Sequence, residues 1–238
     1  MKDLRTLTVE DFLDGQVLLV DKPLGFTSFQ AVNALKWALL RKFNLKKIKI
    51  GHAGTLDPLA SGLLIICTGK FTKKIQEFQG LQKTYTGTFT LGSTTPSYDL
   101  ETAIDAHFET HHINSSLIEK AQTQFMGPQM QHPPMFSAVK KEGKRLYEIA
   151  REGKTVETSA RAIEIYNFEL DYSSFDTDKT IDFSVACSKG TYIRSLAHDF
   201  GKALKSGAHL SRLRRTAIGA FKVEDARTPD ALKEELCS

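Results

Sequence analysis

The order of apolar and polar positions along the chain predicts several strands. Residues 83–91 alternate, with Tyr85, Phe89 and Leu91 on one side and four threonines on the other. This pattern is typical of a strand with one buried face. Short apolar runs bounded by turn residues predict further strands at 18–20, 160–170 and 180–188.

The spacing of apolar residues also predicts helices. Thr27-x-x-Gln30 forms a capping-box pattern, and a second such pattern starts at Ser116. Helices are predicted at 27–39, 116–125, 145–152 and 191–204, with an irregular loop at 127–134. Strands and helices alternate without a strict βαβ order. This order predicts an α+β fold with a mixed, mostly antiparallel β-sheet and helices packed on it.

Composition excludes several classes of protein. The chain has 238 residues, 41% of them hydrophobic and 25% charged, which is typical of a globular protein with its own core. The longest apolar run, Leu63 to Cys67, is far too short for a membrane helix, and the N-terminus lacks a secretory signal. The three cysteines form no C-x-x-C pair, so we expect free thiols and a cytoplasmic protein.

Charge is unevenly distributed along the chain. The net charge is +4, with basic blocks at 41–49 and 202–222 and acidic segments at 95–119 and 155–185. This segregation predicts a basic face on which a polyanion such as nucleic acid could bind. Solvated helix faces are the alternative interpretation, and charge alone does not decide between them.

The segment from Gly51 to Gly62 has the most unusual composition for its length. Asp57 precedes Pro58, and proline both restricts the preceding residue and suits the first position of a helix. We therefore expect Asp57 to be the N-cap of a helix, a role that the spacing alone favours. His52, two glycines and a threonine precede this carboxylate, which is more special backbone than a cap needs and favours a catalytic role.

Two further segments contain candidate functional side chains. Tyr85 is either a core residue of its strand or a platform on which a base stacks. Tyr192 and Arg194 fall in the first turn of the helix predicted after Gly190. Since a helix N-terminus disfavours a cation, Arg194 is expected to have an anionic partner, either a carboxylate or a phosphate.

Other patterns are weaker. His107 and His111 have the spacing of metal ligands, but no third ligand lies nearby, so surface histidines are the better interpretation. The chain contains no Walker loop, no G-x-S-x-G elbow and no G-x-G-x-x-G motif. A paired carboxylate typical of glycosidases is also missing.

Four blocks of sequence together resemble the TruB family of tRNA pseudouridine synthases. The resemblance extends from Gly15 to about Ala226. The blocks are residues 21–28, residues 51–62, residues 133–140 with 143–148, and residues 187–196 with 209–216.

The resemblance implies a fold and an activity. The family converts one uridine in the T-arm loop of tRNA, at position 55, to pseudouridine without cofactor or metal. The implied fold is the pseudouridine synthase fold, as a single catalytic domain over 1–238 with a T-arm-binding insertion around 125–153. The chain ends soon after Ala226, so we expect no PUA domain and no guide RNA. The sequence contains no heptad pattern that would indicate an oligomer, and we expect a monomer.

The resemblance also implies roles for individual residues. Asp57 is the catalytic aspartate, Tyr85 stacks on the target base, and Arg194 pairs with Asp57. The other matching positions are substrate-binding or border the site: His52, Tyr192, Leu213 and Lys22. The carboxylate either adds to the sugar or removes a sugar proton.

The sequence departs from the family pattern at three positions, and two alternative functions remain open. Ala53, Phe136 and Ala217 differ from residues common in the family, and Ala217 stands where an arginine is frequent. One alternative is a tRNA-binding or tRNA-folding chaperone without essential catalysis. The other is a hydrolase that uses Asp57 as nucleophile and releases free base.

Overall fold

The computed structural model describes residues 3–141 and 143–237. The strands in this part of the chain are β1 (Val17–Lys22), β2 (Ile50–His52), β3 (Ala60–Thr68), β4 (Lys83–Leu91), β5 (Ser93–Thr94), β6 (Ala106–His107), β7 (Gly127–Gln131), β8 (Lys140–Lys141), β9 (Lys144–Arg145), β10 (Arg161–Asp171), β11 (Thr180–Cys187), β12 (Ala208–Ile218) and β13 (Phe221–Lys222). The helices are α1 (Val9–Asp14), α2 (Ser28–Lys42), α3 (Ile75–Gly80), α4 (Ser115–Gln124), α5 (Leu146–Arg151), α6 (Phe175–Asp178), α7 (Ile193–Ala203) and α8 (Pro229–Cys237). Short 3-10 helices lie at Leu4–Thr6, Gly69–Lys74 and Val223–Asp225.

The chain forms two compact units. The first unit contains the described residues up to Tyr85 and those from Arg214 onward, and the second unit contains Thr86–Leu213. Two strands, β4 and β12, contribute residues to both units.

In the first unit, β3 is the central strand. It pairs antiparallel with β1, from Val17 opposite Cys67 to Lys22 opposite Gly62, and also with β2. Helices α2 and α8 pack on this sheet through one apolar cluster that includes Leu18, Leu35, Leu64 and Leu232. The short apolar run in β3 is buried because strands or helices cover both faces and both edges of that strand.

In the second unit, strands follow one another in the order β4, β11, β10 and β7. Strand β10 pairs antiparallel with β11 and with β7. Four phenylalanine rings, from β4, β10, β11 and α7, pack together beneath the sheet: Phe89, Phe168, Phe183 and Phe200. Helix α7 places its apolar side against these rings.

The predicted α+β class with a mixed sheet and flanking helices is confirmed. Helix α2 begins as the sequence predicts, because the Thr27 hydroxyl accepts from the Gln30 amide and the Gln30 side chain accepts from the Thr27 amide. Helices α5 and α7 and strands β1, β4, β10 and β11 also lie in the predicted segments. In the described ranges 3–141 and 143–237, no helix is long and apolar enough to cross a membrane.

Two local predictions are wrong. Helix α4, predicted to start at a Ser116 capping box, is instead capped by Asn114. The Asn114 side chain accepts a hydrogen bond from the Leu117 amide, and the Ser116 capping box does not form. The segment predicted as a loop after Gly127 begins with β7, because its backbone pairs with β10 from Gly127 opposite Ile165 to Gln131 opposite Arg161.

Candidate active site

Asp57 lies in a tight turn that leads into β3, and the prediction that it caps a helix is wrong. The Ala60 amide donates to the Asp57 carbonyl oxygen over 3.0 Å, which closes a β-turn with Pro58 at its second position. Aspartate first and proline second is a favoured turn sequence, and the same two residues also suit a helix start. The following residues, Ala60–Thr68, pair with β1 and β2, and this pairing selects the strand.

The turn is held in place on both sides of Asp57. On one side, the Ser28 hydroxyl accepts from the Leu56 amide over 2.9 Å and donates to the Leu56 carbonyl over 3.1 Å. On the other side, the Gly25 amide donates to the Pro58 carbonyl over 2.8 Å. The half-buried Asp57 side chain is therefore carried by a backbone with little freedom.

Arg215 supports the start of this turn. Its Nε donates to the Leu63 carbonyl over 2.7 Å, and its Nη2 donates to the Gly54 carbonyl over 3.1 Å. Gly54 has a φ of 90°, a conformation that glycine adopts easily. The Arg215 side chain is fully buried, whereas the sequence predicts no individual role for it within the basic block 202–222 or the family-like block 209–216.

Lys22 places a second buried cation near Asp57. Its Nζ donates to the carbonyls of Pro23 and Phe26, at 3.1 and 2.6 Å. Burial lowers the pKa of Lys22 to about 8, and the positive charge of Arg215 acts in the same direction. The negative charge of Asp57 opposes this shift, so the amine and the carboxylate interact through space.

His52 lies at the end of β2 and is half-buried. Burial lowers the pKa of its imidazole, and the charge of Arg215 lowers it further, while the Gly54 carbonyl acts against both. The lowered pKa favours the neutral form of the ring at pH 7.

Tyr85 is half-buried at the start of β4. The strand is fixed here because the Thr216 hydroxyl donates to the Thr84 carbonyl over 3.3 Å. The buried amine of Lys83 also donates to the carbonyls of Phe78, Gln79 and Leu81 near the end of α3. The first unit thus contains four of the predicted site residues: Lys22, His52, Asp57 and Tyr85.

In the second unit, Tyr192 is the residue that immediately precedes α7. The Gln131 side chain accepts from the Tyr192 amide over 2.8 Å and donates to its carbonyl over 3.0 Å. The guanidinium of Arg161 lies over the Tyr192 ring, 5.2 Å from its centre. Gln131 is buried, and the sequence does not identify it as a functional residue because its segment is typical of a loop.

Arg194 has a carboxylate partner within the second unit, as its place at a helix start led us to expect. Its Nε lies 3.6 Å from Asp99 Oδ2, and both side chains are buried. Its Nη1 donates to the Ser97 carbonyl over 3.2 Å. Sequence analysis missed Asp99, which lies in an irregular segment far from Arg194 in the chain. Pairing of Arg194 with Asp57, which the family resemblance implies, stays a prediction, as does the role of Leu213 in β12.

The two histidines with metal-like spacing are both exposed, and His111 lies 3.2 Å from the Glu109 carboxylate. Among the residues that the structure describes, no group of three or more His, Cys, Asp or Glu side chains could hold a metal ion.

Family models match almost the whole second half and most of the first half of the chain. The model described as TruB family pseudouridylate synthase, N-terminal domain, matches residues 41–193. A model of the tRNA pseudouridylate synthase B C-terminal domain matches residues 194–237. The chain belongs to the TruB family of pseudouridylate synthases.

Individual proteins similar to this TruB family member agree with that assignment. The tRNA pseudouridine synthase B of Flavobacterium johnsoniae is 59% identical over 231 residues, which cover 97% of this chain and 100% of that protein. The protein of the same name from Bacteroides thetaiotaomicron is 51% identical and covers 94% of both chains.

Solved structures show the same fold. A chain in the crystal structure of a Cbf5-Nop10-Gar1 complex aligns with a TM-score of 0.66 and 30% identity over 92% of this TruB family member. A chain in an H/ACA RNP bound to a substrate RNA containing 2′-deoxyuridine aligns with a TM-score of 0.65 and 27% identity over 98%. The matched regions are 54% and 56% of those longer chains.

Proposed function

We propose that the protein isomerises the uridine at position 55 in the T loop of tRNA to pseudouridine. The observation that supports this most directly is the Asp57 turn, clamped at Leu56 and Pro58 beside the buried amine of Lys22. The family and the names of the relatives supply the reaction and the substrate class. A tRNA substrate also implies that the protein acts in the cytoplasm.

Asp57 is the catalytic residue in this proposal. The bond between C1′ and N1 of the uridine breaks, the base turns, and a new bond joins C1′ to C5. C5 then loses its hydrogen as a proton and N1 gains a proton, so the product has the mass of the substrate. The carboxylate assists either by adding to the sugar or by removing a sugar proton, and both roles need its ionised form. The positive charge of Lys22 favours that form.

Tyr85, Arg194 and His52 help to hold the target base and the carboxylate. A uridine inside a folded loop must be flipped out, at a cost of a few kcal/mol. Stacking on the Tyr85 ring offsets about 1–3 kcal/mol of that cost. The ring of His52 fills the space that the base vacates. Pairing of Arg194 with Asp57 is what the family resemblance implies.

The insertion at 125–153 is proposed to bind the T arm of the tRNA. Its hairpin β8–β9 and helix α5 display basic side chains, and the Tyr147 ring lies 5.8 Å from the Arg145 guanidinium and 5.4 Å from that of Arg151. Such clusters bind RNA phosphates while an aromatic ring contacts a base or sugar. The protein acts on tRNA as a monomer and without a guide RNA.

The test is incubation of the purified full chain with an unmodified tRNA transcript and nothing else but buffer. We expect pseudouridine at position 55 and no change in RNA mass, detected after chemical derivatisation of pseudouridine and mass spectrometry of T-loop fragments. Absence of pseudouridine with folded protein would overturn the proposal. Release of free uracil would instead identify the hydrolase alternative.

A further inference from the structure

A groove on the first unit lies outside the site described above. It has a volume of about 360 Å³ and runs between the outer face of α2 and the segment that enters β2. Phe29, Asn33 and Lys36 line it from the helix, and Lys49 and Ile50 line it from the opposite side. The catalytic proposal uses none of these side chains.

The helical wall of the groove combines an aromatic ring with polar side chains. Phe29 is 68% exposed, although a phenylalanine on a helix is usually buried in a core. Residues 29, 33 and 36 are four and three positions apart, so they lie on one face of α2. An exposed ring beside an amide and an ammonium group is typical of surfaces that bind single-stranded nucleic acid.

Charge around the groove favours an anion. From residue 23 to residue 76 the sequence contains nine Lys and Arg residues and a single acidic residue, Asp57 itself. A groove with a lysine on each wall and no carboxylate in its lining complements a phosphate backbone.

Both walls of the groove continue into the Asp57 turn. Phe29 directly follows Ser28, whose hydroxyl is hydrogen-bonded to Leu56. On the other wall, Ile50 begins β2, which ends at His52. A strand of RNA bound at the Asp57 turn could therefore continue into the groove without leaving the first unit.

We propose that the groove binds unpaired nucleotides of the substrate tRNA, with phosphates at Lys36 and Lys49 and a base stacked on Phe29. The proposal rests on the proposed function and extends it by a second RNA contact. It predicts that the groove contributes to binding of RNA and not to the chemical step.

The first test is binding of a fluorescein-labelled ten-nucleotide uridine oligomer, measured by anisotropy at several salt concentrations. Lys36→Ala with Lys49→Ala is expected to weaken binding about tenfold. The slope of the logarithm of the binding constant against the logarithm of the salt concentration should become shallower by about 1.4, or about 0.7 per lost phosphate contact. The matched control is Lys46→Ala with Lys47→Ala, which removes the same charge from exposed residues outside the lining. This control is expected to lose at most about threefold.

The second test separates stacking from charge. Phe29→Ala is expected to weaken oligomer binding about tenfold, the loss expected for one stacked base. Trp37→Ala is the matched control, because Trp37 is 67% exposed on the same helix but does not line the groove. Equal losses in the variants and their controls, in either test, would overturn the groove as a defined site.

The third test identifies the RNA and separates the two proposals. Lys36→Ala with Lys49→Ala should raise KM for the full tRNA at least fivefold, with kcat within about twofold. An unchanged KM would show that tRNA does not occupy the groove, even if wild-type protein forms pseudouridine. If wild-type protein forms none, the proposed function fails, and the proposal that tRNA occupies the groove fails with it.

Discussion

The guanidinium of Arg215 donates a hydrogen bond to the Gly54 carbonyl, three residues before Asp57. The same side chain holds the Leu63 carbonyl in β3, so it joins the beginning of the Asp57 turn to the strand that follows it. A fully buried guanidinium is costly unless its hydrogen bonds and charge are used. Here its charge also acts on Lys22 and His52.

We predict that Arg215→Met changes the His52 pKa as well as stability. Loss of the two hydrogen bonds removes a donor from each of the Leu63 and Gly54 carbonyls and costs about 1–3 kcal/mol of unfolding free energy. Loss of the positive charge raises the His52 pKa, because that charge now lowers it. The pKa is measured by NMR titration of the imidazole. An Arg215→Lys control keeps the charge and should keep the pKa low; a rise in both variants would contradict the electrostatic account.

Asp99 is predicted to be a positioning residue for Arg194. Asp99→Asn removes the negative charge 3.6 Å from Arg194 Nε and leaves that guanidinium buried without this ion pair. Removing one partner of a buried ion pair costs up to about 3–5 kcal/mol of unfolding free energy, and less where the remaining charge keeps another partner, as Arg194 does at the Ser97 carbonyl. We expect kcat to fall at least tenfold while tRNA affinity stays within about threefold.

The matched control for Asp99 is Asp182→Asn, because Asp182 also pairs with an arginine in the second unit but is exposed. That variant should change neither stability nor kcat noticeably. Comparable losses of kcat in both variants, or an unchanged kcat in Asp99→Asn, would remove Asp99 from this role.

The lowered pKa of the Lys22 amine predicts that the free energy of unfolding depends on pH. Its pKa is about 8 in the folded protein and near 10.4 in an unfolded chain, so between these values the unfolded state binds more protons. Stability contributed by this group therefore rises with pH from about 8 to about 10.4. Denaturant unfolding of wild type and Lys22→Met should show this rise only in the wild type. The same slope in both proteins would rule out Lys22 as its source.

Gln131 is predicted to position Tyr192 for RNA binding. Gln131→Ala removes both hydrogen bonds to the Tyr192 backbone, while Gln131→Glu keeps an acceptor for the Tyr192 amide and loses the donor to its carbonyl. We expect KM for tRNA to rise about tenfold in Gln131→Ala and kcat to change less. A fall in kcat with constant KM would show that Tyr192 does not act in binding.

The sequence predicts those parts of the fold that depend on nearby residues. The predictions of helix α2 and strand β4 are correct, because the capping box of α2 and the strict alternation in β4 are local signals. The Asp57 turn is predicted wrongly, because an Asp-Pro pair suits both a helix start and a β-turn. Only the pairing of β3 with β1 selects the turn over the helix. Strand β7 is missed for the same reason, since its partner β10 lies some 30 residues further along the chain.

In the candidate site, too, local sequence signals identify some residues, and contacts between distant residues determine the others. Asp57 and Arg194 stand in blocks that resemble the family, and Tyr85 stands in a clearly alternating strand, so the sequence identifies all three as candidates. Arg215 and Asp99 act through contacts between residues far apart in sequence, and Arg215 follows Gly54 by 161 positions. No local pattern distinguishes Arg215 from Arg212 and Arg214, which instead pair with carboxylates.

The central claim is that the Asp57 carboxylate performs the chemical step, and Asp57→Asn tests it most directly. The measurement is single-turnover formation of pseudouridine in a T-arm stem-loop with excess enzyme, together with RNA affinity. Asp21→Asn is the matched control, because Asp21 is a carboxylate of the same unit paired with Arg214. We predict RNA affinity within about threefold of wild type and no detectable pseudouridine for Asp57→Asn, with turnover retained in Asp21→Asn. Pseudouridine formed by Asp57→Asn at a rate near that of wild type would contradict the account.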